Sequence, residues 1–257
     1  MAKQDNSRQQ LPLYISSPQS CDYLADKQSQ NIFIAPDIPV TPDLYGHLLG
    51  IGFRRSGKHA YRPHCPACRA CIPCRVDSTQ FKPSRSQKRV LAKNNDLSFN
   101  AIRNDFSEQH FHLYQRYQAG KHPGGTMEHF NADEYQSFLC QSFGNSLVYE
   151  TRLNDQLLAV SVTDVFSNAL SAVYTYFDPA YASRSLGTYS VLKQIELAMN
   201  AGQQFVYLGY YIQASNKMAY KANFRPLQLL INGDWCSFNK GEELPMQNSC
   251  LDVPLSF

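Results

Sequence analysis

Between Leu44 and Val76 the sequence has no aspartate and no glutamate. It also lacks an apolar run long enough to span a bilayer, an internal repeat and a low-complexity tract. Those absences exclude a transmembrane helix, a solenoid and a linker-like chain. The opening MAKQDNSRQQLPLYISS carries no apolar run after its charges, so a secretory signal is not expected and a cytoplasmic protein is. In that compartment the eight cysteines are expected as thiols or metal ligands, not as a disulfide framework.

The acid-free stretch is filled with cations and thiols. GIGFRRSGKHAYRPHCPACRACIPCRV holds Arg54, Arg55, Lys58, Arg62, Arg69 and Arg75, and its cysteines fall at 65, 68, 71 and 74. From Leu44 to Arg103 the chain has 12 of its 24 Lys and Arg but two of its 21 acids, a local +10 against −7 elsewhere, which a net charge of +3 conceals. Such an imbalance points to a polyanion or an acidic ligand. At 257 residues and 43% hydrophobic composition, the chain can build one large core or two modest ones.

Along the chain, NIFIAP (31–36) reads as a short strand, and TPDLYGHLLG as a helix with Thr41 as N-cap and Pro42 in its first turn. HAYR and CRVDSTQF read as strands flanking a cysteine loop in which Pro63, Pro66 and Pro73 prevent a helix. SRSQKRVLAKNN is expected as a helix capped by Ser84, with Arg85, Lys88, Arg89 and Lys93 on one face. That face has no interleaved acids, so phosphate contact and a solvated surface both remain open. A strand at 98–103 and helices near 107–119 and 131–143 follow, with His122 expected as an exposed loop residue between them. SLVYETRL, LLAVSVTDVF and LSAVYTYFD, separated by short turns, make an antiparallel meander. After it come a helix from about Gly187, a strand QFVYLGYY, a helix SNKMAYKANF and a strand PLQLLING. This order predicts an α+β fold: an acetyltransferase-like (GNAT-like) mixed sheet with flanking helices, plus a smaller N-terminal α/β region carrying the cysteine loop. The boundary is expected near residue 104, giving regions 1–104 and 105–257.

In such a fold the loop entering the main helix, Arg184-Ser185-Leu186-Gly187-Thr188, offers free backbone N–H groups for an anion or a polarised carbonyl, though R-x-x-G also suits an ordinary helix entry. Gly209 in YLGYY suggests close backbone approach at an acyl slot, or an aromatic core strand. The C-P-A-C-R-A-C-I-P-C run has spacing nearer to iron–sulfur than to two-knuckle zinc ligation, and reduced thiols are the third reading.

GFRRSGKHAYRPHCPACRACIPCRV together with SRSLGTY, YLGYY and MAYKANFRP resembles the aminoacyl-tRNA–protein transferases of the N-end rule, on their bacterial aspartate/glutamate leucyltransferase branch. The match runs from about Cys21 to about Asn232. The resemblance implies transfer of leucine from leucyl-tRNA to an N-terminal Asp or Glu, which marks the acceptor for degradation. An acidic acceptor needs a guanidinium fork, for which Arg54, Arg55, Arg62 and Arg75 are the candidates. The tRNA is assigned Arg85, Lys88, Arg89, Lys93, Arg184 and Ser185, with Tyr210 and Lys221 to orient its terminal nucleotide. For the base that deprotonates the acceptor amine, Asp178 and then Asp164 are the candidates, Asp178 being equally a turn residue before Pro179. The N–H groups around Gly187 and Thr188 are the candidate oxyanion donors.

In related arginyltransferases a C-x-x-C and a Cys-Cys pair hold a cluster. Here Cys21 and Cys71 fall on those positions, Ile72 replaces one member, and Cys65, Cys68 and Cys74 are the possible substitutes for zinc or iron–sulfur. No cofactor is required for the acyl transfer itself, since the ester is already activated. A monomer with no membrane association is expected. The alternatives are an arginyl-tRNA donor, a CoA-dependent N-acetyltransferase and a tRNA-binding module without activity.

Overall fold

A computed structural model describes residues 11–247; the reading of the extreme N-terminus over residues 1–10 lies outside the described residues. The first unit is a small antiparallel sheet. Its strands β1 (Leu13–Ile15), β4 (Asn31–Ile34), β5 (Arg54–Ser56) and β6 (His59–Pro63) stand in the order β1-β4-β6-β5, with a two-residue ribbon β2 (Gln19–Ser20) and β3 (Gln28–Ser29) beside them. Helix α1 (Pro42–Gly50) connects β4 to β5, and the Thr41 hydroxyl accepts from the Leu44 N–H as the sequence predicts. The buried face of α1, Tyr45, Leu48 and Leu49, packs with Ile32, Ile34, Phe53 and Ala60, and this core continues onto Ala169 and Tyr207 of the main sheet. The basic stretch is thereby fixed against the larger sheet by apolar burial.

The cysteine loop then leads into β7 (Ile72–Asp77). The expected strand through Phe81 stops at Asp77, because that carboxylate accepts from the Thr79 N–H and hydroxyl and turns the chain. Helix α2 (Arg85–Lys93) has a full capping box between Ser84 and Gln87. Strand β8 (Ser98–Arg103) and helix α3 (Glu108–Lys121) follow, and the helix expected at 131–143 is shorter, α4 (Ala132–Tyr135) running into a π turn at Gln136–Cys140.

Strands β9 (Ser146–Leu153), β10 (Gln156–Val165) and β11 (Ala169–Phe177) form the meander. Helix α5 (Leu186–Asn200) returns the chain to β12 (Phe205–Tyr211), a helical turn α6 (Asn216–Ala219) continues as a 3-10 turn at Tyr220–Asn223, and β13 (Leu227–Ile231) and β14 (Asp234–Phe238) are the last strands among the described residues. The eight-stranded sheet runs β14-β13-β7-β12-β11-β10-β9-β8, with β11 and β12 parallel and the other neighbours antiparallel. The architecture is α+β with one large mixed sheet. Strands β7 and β8, which precede residue 104, stand in this sheet with the strands of 105–257. One face is covered by α5 and α2 over Ile72, Val76, Leu170, Val206 and Leu208. Over β9–β11, α3 packs through Leu113 and Tyr114 against Val148, Val160, Val162 and Tyr176.

Candidate active site

The parallel pair β11/β12 is joined over three positions, Ala169↔Phe205, Leu170↔Val206 and Ser171↔Tyr207. Beyond Ser171 and Tyr207 the two strands no longer pair, and this interruption of the sheet between their remaining lengths is the candidate cleft. On its other edge β12 is held by β7 through a bulge between Tyr207 and Gly209. Gly209 sits at φ +90°, a conformation that glycine adopts without strain. Helix α5 starts at the open end of this cleft, because the chain reaches it from the C-terminal end of β11. Ser185, in the left-handed region, makes no side-chain cap, and the helix's first hydrogen bond to Ser185 comes from the Tyr189 N–H. The N–H groups of Leu186, Gly187 and Thr188 are therefore left uncapped by it.

At the closed end of the cleft lie two adjacent arginines with different fates. Asp164 and Ser171 face each other across the β10–β11 ladder. Arg55 forks onto Asp164, Nε to Oδ2 at 2.6 Å and Nη2 to Oδ1 at 2.8 Å, and also donates to the Gln141 carbonyl at 2.7 Å. Burial lowers its affinity for the proton, but the bond and charge of Asp164 outweigh this and raise its pKa. Arg54 donates Nη1 to the Ser171 hydroxyl at 3.2 Å and lies over the Tyr207 ring at 5.4 Å. It is 8% exposed, its Nη2 is buried with no hydrogen-bond partner, and it has no ion pair among the described residues.

Several expectations change here. Asp164 is locked to Arg55 and is not available as a base. Asp178 caps the turn after β11, Oδ1 accepting from the Ala180 N–H at 3.0 Å, and its Oδ2 meets Arg116 at 3.4 Å, so it takes the turn role. Arg62 donates to the Ile51 carbonyl and covers Phe53, and Arg75 is packed between Phe205 and Trp235 while bonded to Gln228 and Tyr207. Both are structural. The Tyr210 hydroxyl is buried on the Gly52 carbonyl at 2.9 Å, which removes it from a nucleotide-orienting role. Lys221, expected to orient the terminal nucleotide, is 4% exposed and donates to the Tyr210 carbonyl at 2.7 Å and to Met218 Sδ at 3.2 Å, which holds it inside the protein.

On the α2 face, Arg85, Lys88 and Arg89 are exposed and make no ion pair among the described residues. Lys93 instead donates to the Ser183 carbonyl at 2.7 Å, and Arg184 forks onto Asp96 at 2.8 and 2.9 Å. These two clip the loop before α5 to the end of α2. Gly187 and Thr188 lie in the first turn of α5, with Phe177 packed 3.5 Å from where a Gly187 side chain would begin.

The cysteines divide. Cys74 lies in the main core, paired in register with Gly209. Burial, followed by the neighbouring thiols of Cys65, Cys21 and Cys68, pushes the Cys71 thiol up to about 12. Among the described residues no group of three or more His, Cys, Asp or Glu has metal-binding geometry. The residues present do not fit the zinc or iron–sulfur reading. Ser171 and Tyr207, which shape the closed end, carry no local sequence signal; only the pairing of distant strands brings them to Arg54.

Sequence models for the N- and C-terminal parts of arginine-tRNA-protein transferase match residues 19–89 and 109–231. The aspartate/glutamate leucyltransferase of Pseudomonas fluorescens is 45% identical over 229 residues, 89% of this chain and 97% of that one. That of Saccharophagus degradans is 44% identical over 230 residues, covering 89% and 98%. Among solved structures, the C-terminal domain of a putative lysylphosphatidylglycerol synthetase from Agrobacterium fabrum superposes with a TM-score of 0.43 and 15% identity over 66% of this chain and 52% of that one.

Proposed function

The chain belongs to the arginine-tRNA–protein transferase family, and from that premise we propose that it transfers leucine from leucyl-tRNA to the N-terminal Asp or Glu of an acceptor protein, marking it for the N-end rule. The observation that carries the acceptor assignment is Arg54, a buried guanidinium with a free Nη2 and no ion-pair partner among the described residues. A buried cation without a counter-ion is costly, and an acceptor carboxylate entering the cleft supplies both the charge and the missing hydrogen bond.

The acetyltransferase-like reading of the sheet gives the cleft between β11 and β12 to the leucyl group. The α-amine of the acceptor attacks the ester carbonyl carbon, and the oxygen that gains charge lies toward the uncapped N–H groups of Gly187 and Thr188. The exposed Arg85, Lys88 and Arg89 take tRNA phosphates, with Ser185 and the clipped loop setting where α5 begins. No metal is invoked: the ester is activated, and holding the two substrates together supplies much of the rate. The cytoplasm, where charged tRNA resides, is the compartment, and one chain contains every group named.

The test is incubation with leucyl-tRNA and peptides beginning with Asp, Glu or Lys, read by mass. One leucine residue is expected on the first two. Equal reaction of the Lys peptide would overturn the acceptor assignment, and consumption of acetyl-CoA or arginyl-tRNA in place of leucyl-tRNA would overturn the donor.

A further inference from the structure

With Asp164 and Asp178 committed elsewhere, the cleft still needs a group to take a proton from the acceptor's ammonium. The side of the cleft formed by β12 holds one. Gly209 lies two residues beyond Tyr207, roughly 7 Å along the strand from the closed end, and a side chain placed there would meet Lys221 Nζ at 3.8 Å. The missing side chain leaves room above that amine.

Lys221 Nζ has two partners, the Tyr210 carbonyl and Met218 Sδ. A charged ammonium has three N–H donors, so one would be buried without a partner; a neutral amine gives both of its N–H groups to these acceptors and keeps its lone pair free. The groups around it are Cys74 on β7, Cys71 in the cysteine loop, Arg54 on β5 and the Tyr220 ring at 5.5 Å. None is a carboxylate. Burial foremost, with Arg54 acting the same way against Cys74 and Cys71, lowers the amine to about 8.

We propose that Lys221 is a catalytic residue of this leucyl transfer, taking the proton from the acceptor's α-ammonium and returning it to the departing ribose oxygen. The inference rests on the leucyltransferase reading above. The lone pair of Lys221 accepts the proton, and the freed α-amine forms a C–N bond to the ester carbonyl carbon. The tetrahedral intermediate then breaks its C–O bond to the ribose, whose oxygen takes a proton from Lys221. The amine's second proton leaves to solvent as the amide forms, and Lys221 ends neutral as it began.

The experiment is the pH dependence of single-turnover transfer to a saturating Asp-initiated peptide, from about pH 6 to about pH 10. The unaltered protein should give a bell: the acid side falls as amine and Lys221 both become protonated, and the alkaline side falls as the pair loses its last proton. Lys221→Met should lose about 10²-fold or more in rate together with the alkaline limb, leaving the rise of the acceptor amine alone, with peptide and tRNA affinities little changed. A merely structural role would lower the rate equally at every pH. Lys221→Arg, which holds its proton throughout, should bind both substrates and transfer as poorly as the Met variant. An unaltered protein without an alkaline limb would overturn the proposal whatever the variants do, as would a folded Lys221→Met protein within about threefold of the original rate. If the unaltered protein transfers leucine to no acceptor, the leucyltransferase reading itself fails.

Discussion

Asp164→Asn leaves the Arg55 guanidinium buried with its two bonds to that side chain weakened and its counter-charge gone. The pair is sealed, with side-chain exposures of 0% for Arg55 and 5% for Asp164. Removing one partner of such a pair costs about 3–5 kcal/mol, and because the amide still accepts one N–H the lower end is expected. For a chain of this size that is a fall in melting temperature of roughly 6–12 °C. The substitution should act on the whole molecule, since Arg55 also ties β5 to the Gln141 carbonyl and to the Ser146 hydroxyl at the start of β9. Thermal unfolding and transfer rate are measured on the same preparation. At a temperature where the variant is fully folded, transfer should stay within about tenfold of the original, well short of the loss expected for a missing base. Replacing both partners, Arg55→Met with Asp164→Leu, should recover much of the stability, because an apolar pair removes the stranded charge. An unchanged melting temperature with abolished transfer would refute the reasoning and return Asp164 to the role of base.

Two further outcomes follow from the surface and the acid limit. Lys88→Ala and Arg89→Ala should each weaken tRNA binding and reduce its salt dependence by roughly 0.7–0.9 in slope; an unchanged slope would make the α2 face a solvated one. The Glu150 carboxyl feels burial most, which raises it, but hydrogen bonds from Arg152 and His110 prevail and hold it below its ordinary 4.5. Its stabilising contribution is thus present above that value and is lost as pH falls through the lower folded-state value, so Glu150→Gln should flatten the fall in stability in that acid range; an identical acid denaturation curve would count against the pairing.

Local chemistry was readable and distant pairing was not. Thr41 and Ser84 announced α1 and α2 because capping is settled within four residues. The meander was equally plain, its strands joined by short turns. The insertion of β7 between β12 and β13 had no local signature, since its register is set by partners more than a hundred residues away. The same limit explains why four arginines looked alike as carboxylate ligands. Arg75 is enclosed by Phe205 and Trp235 and Arg55 by Asp164, all contributed by later strands. Lys221 reads from sequence as a cation that orients the terminal nucleotide, because sequence records its charge but not its burial.

Arg54 and Arg55 show how little separates a structural guanidinium from one left free for a ligand. They are neighbours on β5, and their partners Ser171 and Asp164 are neighbours across β10 and β11. One partner is a carboxylate and the other a hydroxyl, and on that difference the assignment of Arg54 depends. Ser171→Asp should therefore convert the second arginine into a copy of the first. The new carboxylate would stand where the Ser171 hydroxyl already accepts from Nη1 and would reach the unpartnered Nη2, acting as a tethered competitor for the acceptor's acidic side chain. Losing that interaction is worth at least about 2 kcal/mol, or roughly 30-fold in acceptor affinity. Leucyl-tRNA binding should be unaffected and the melting temperature should be no lower, because a buried charge gains a counter-charge. The reverse pattern, full affinity for Asp and Glu peptides in a folded Ser171→Asp protein, would mean that the acceptor's carboxylate is held somewhere other than Arg54.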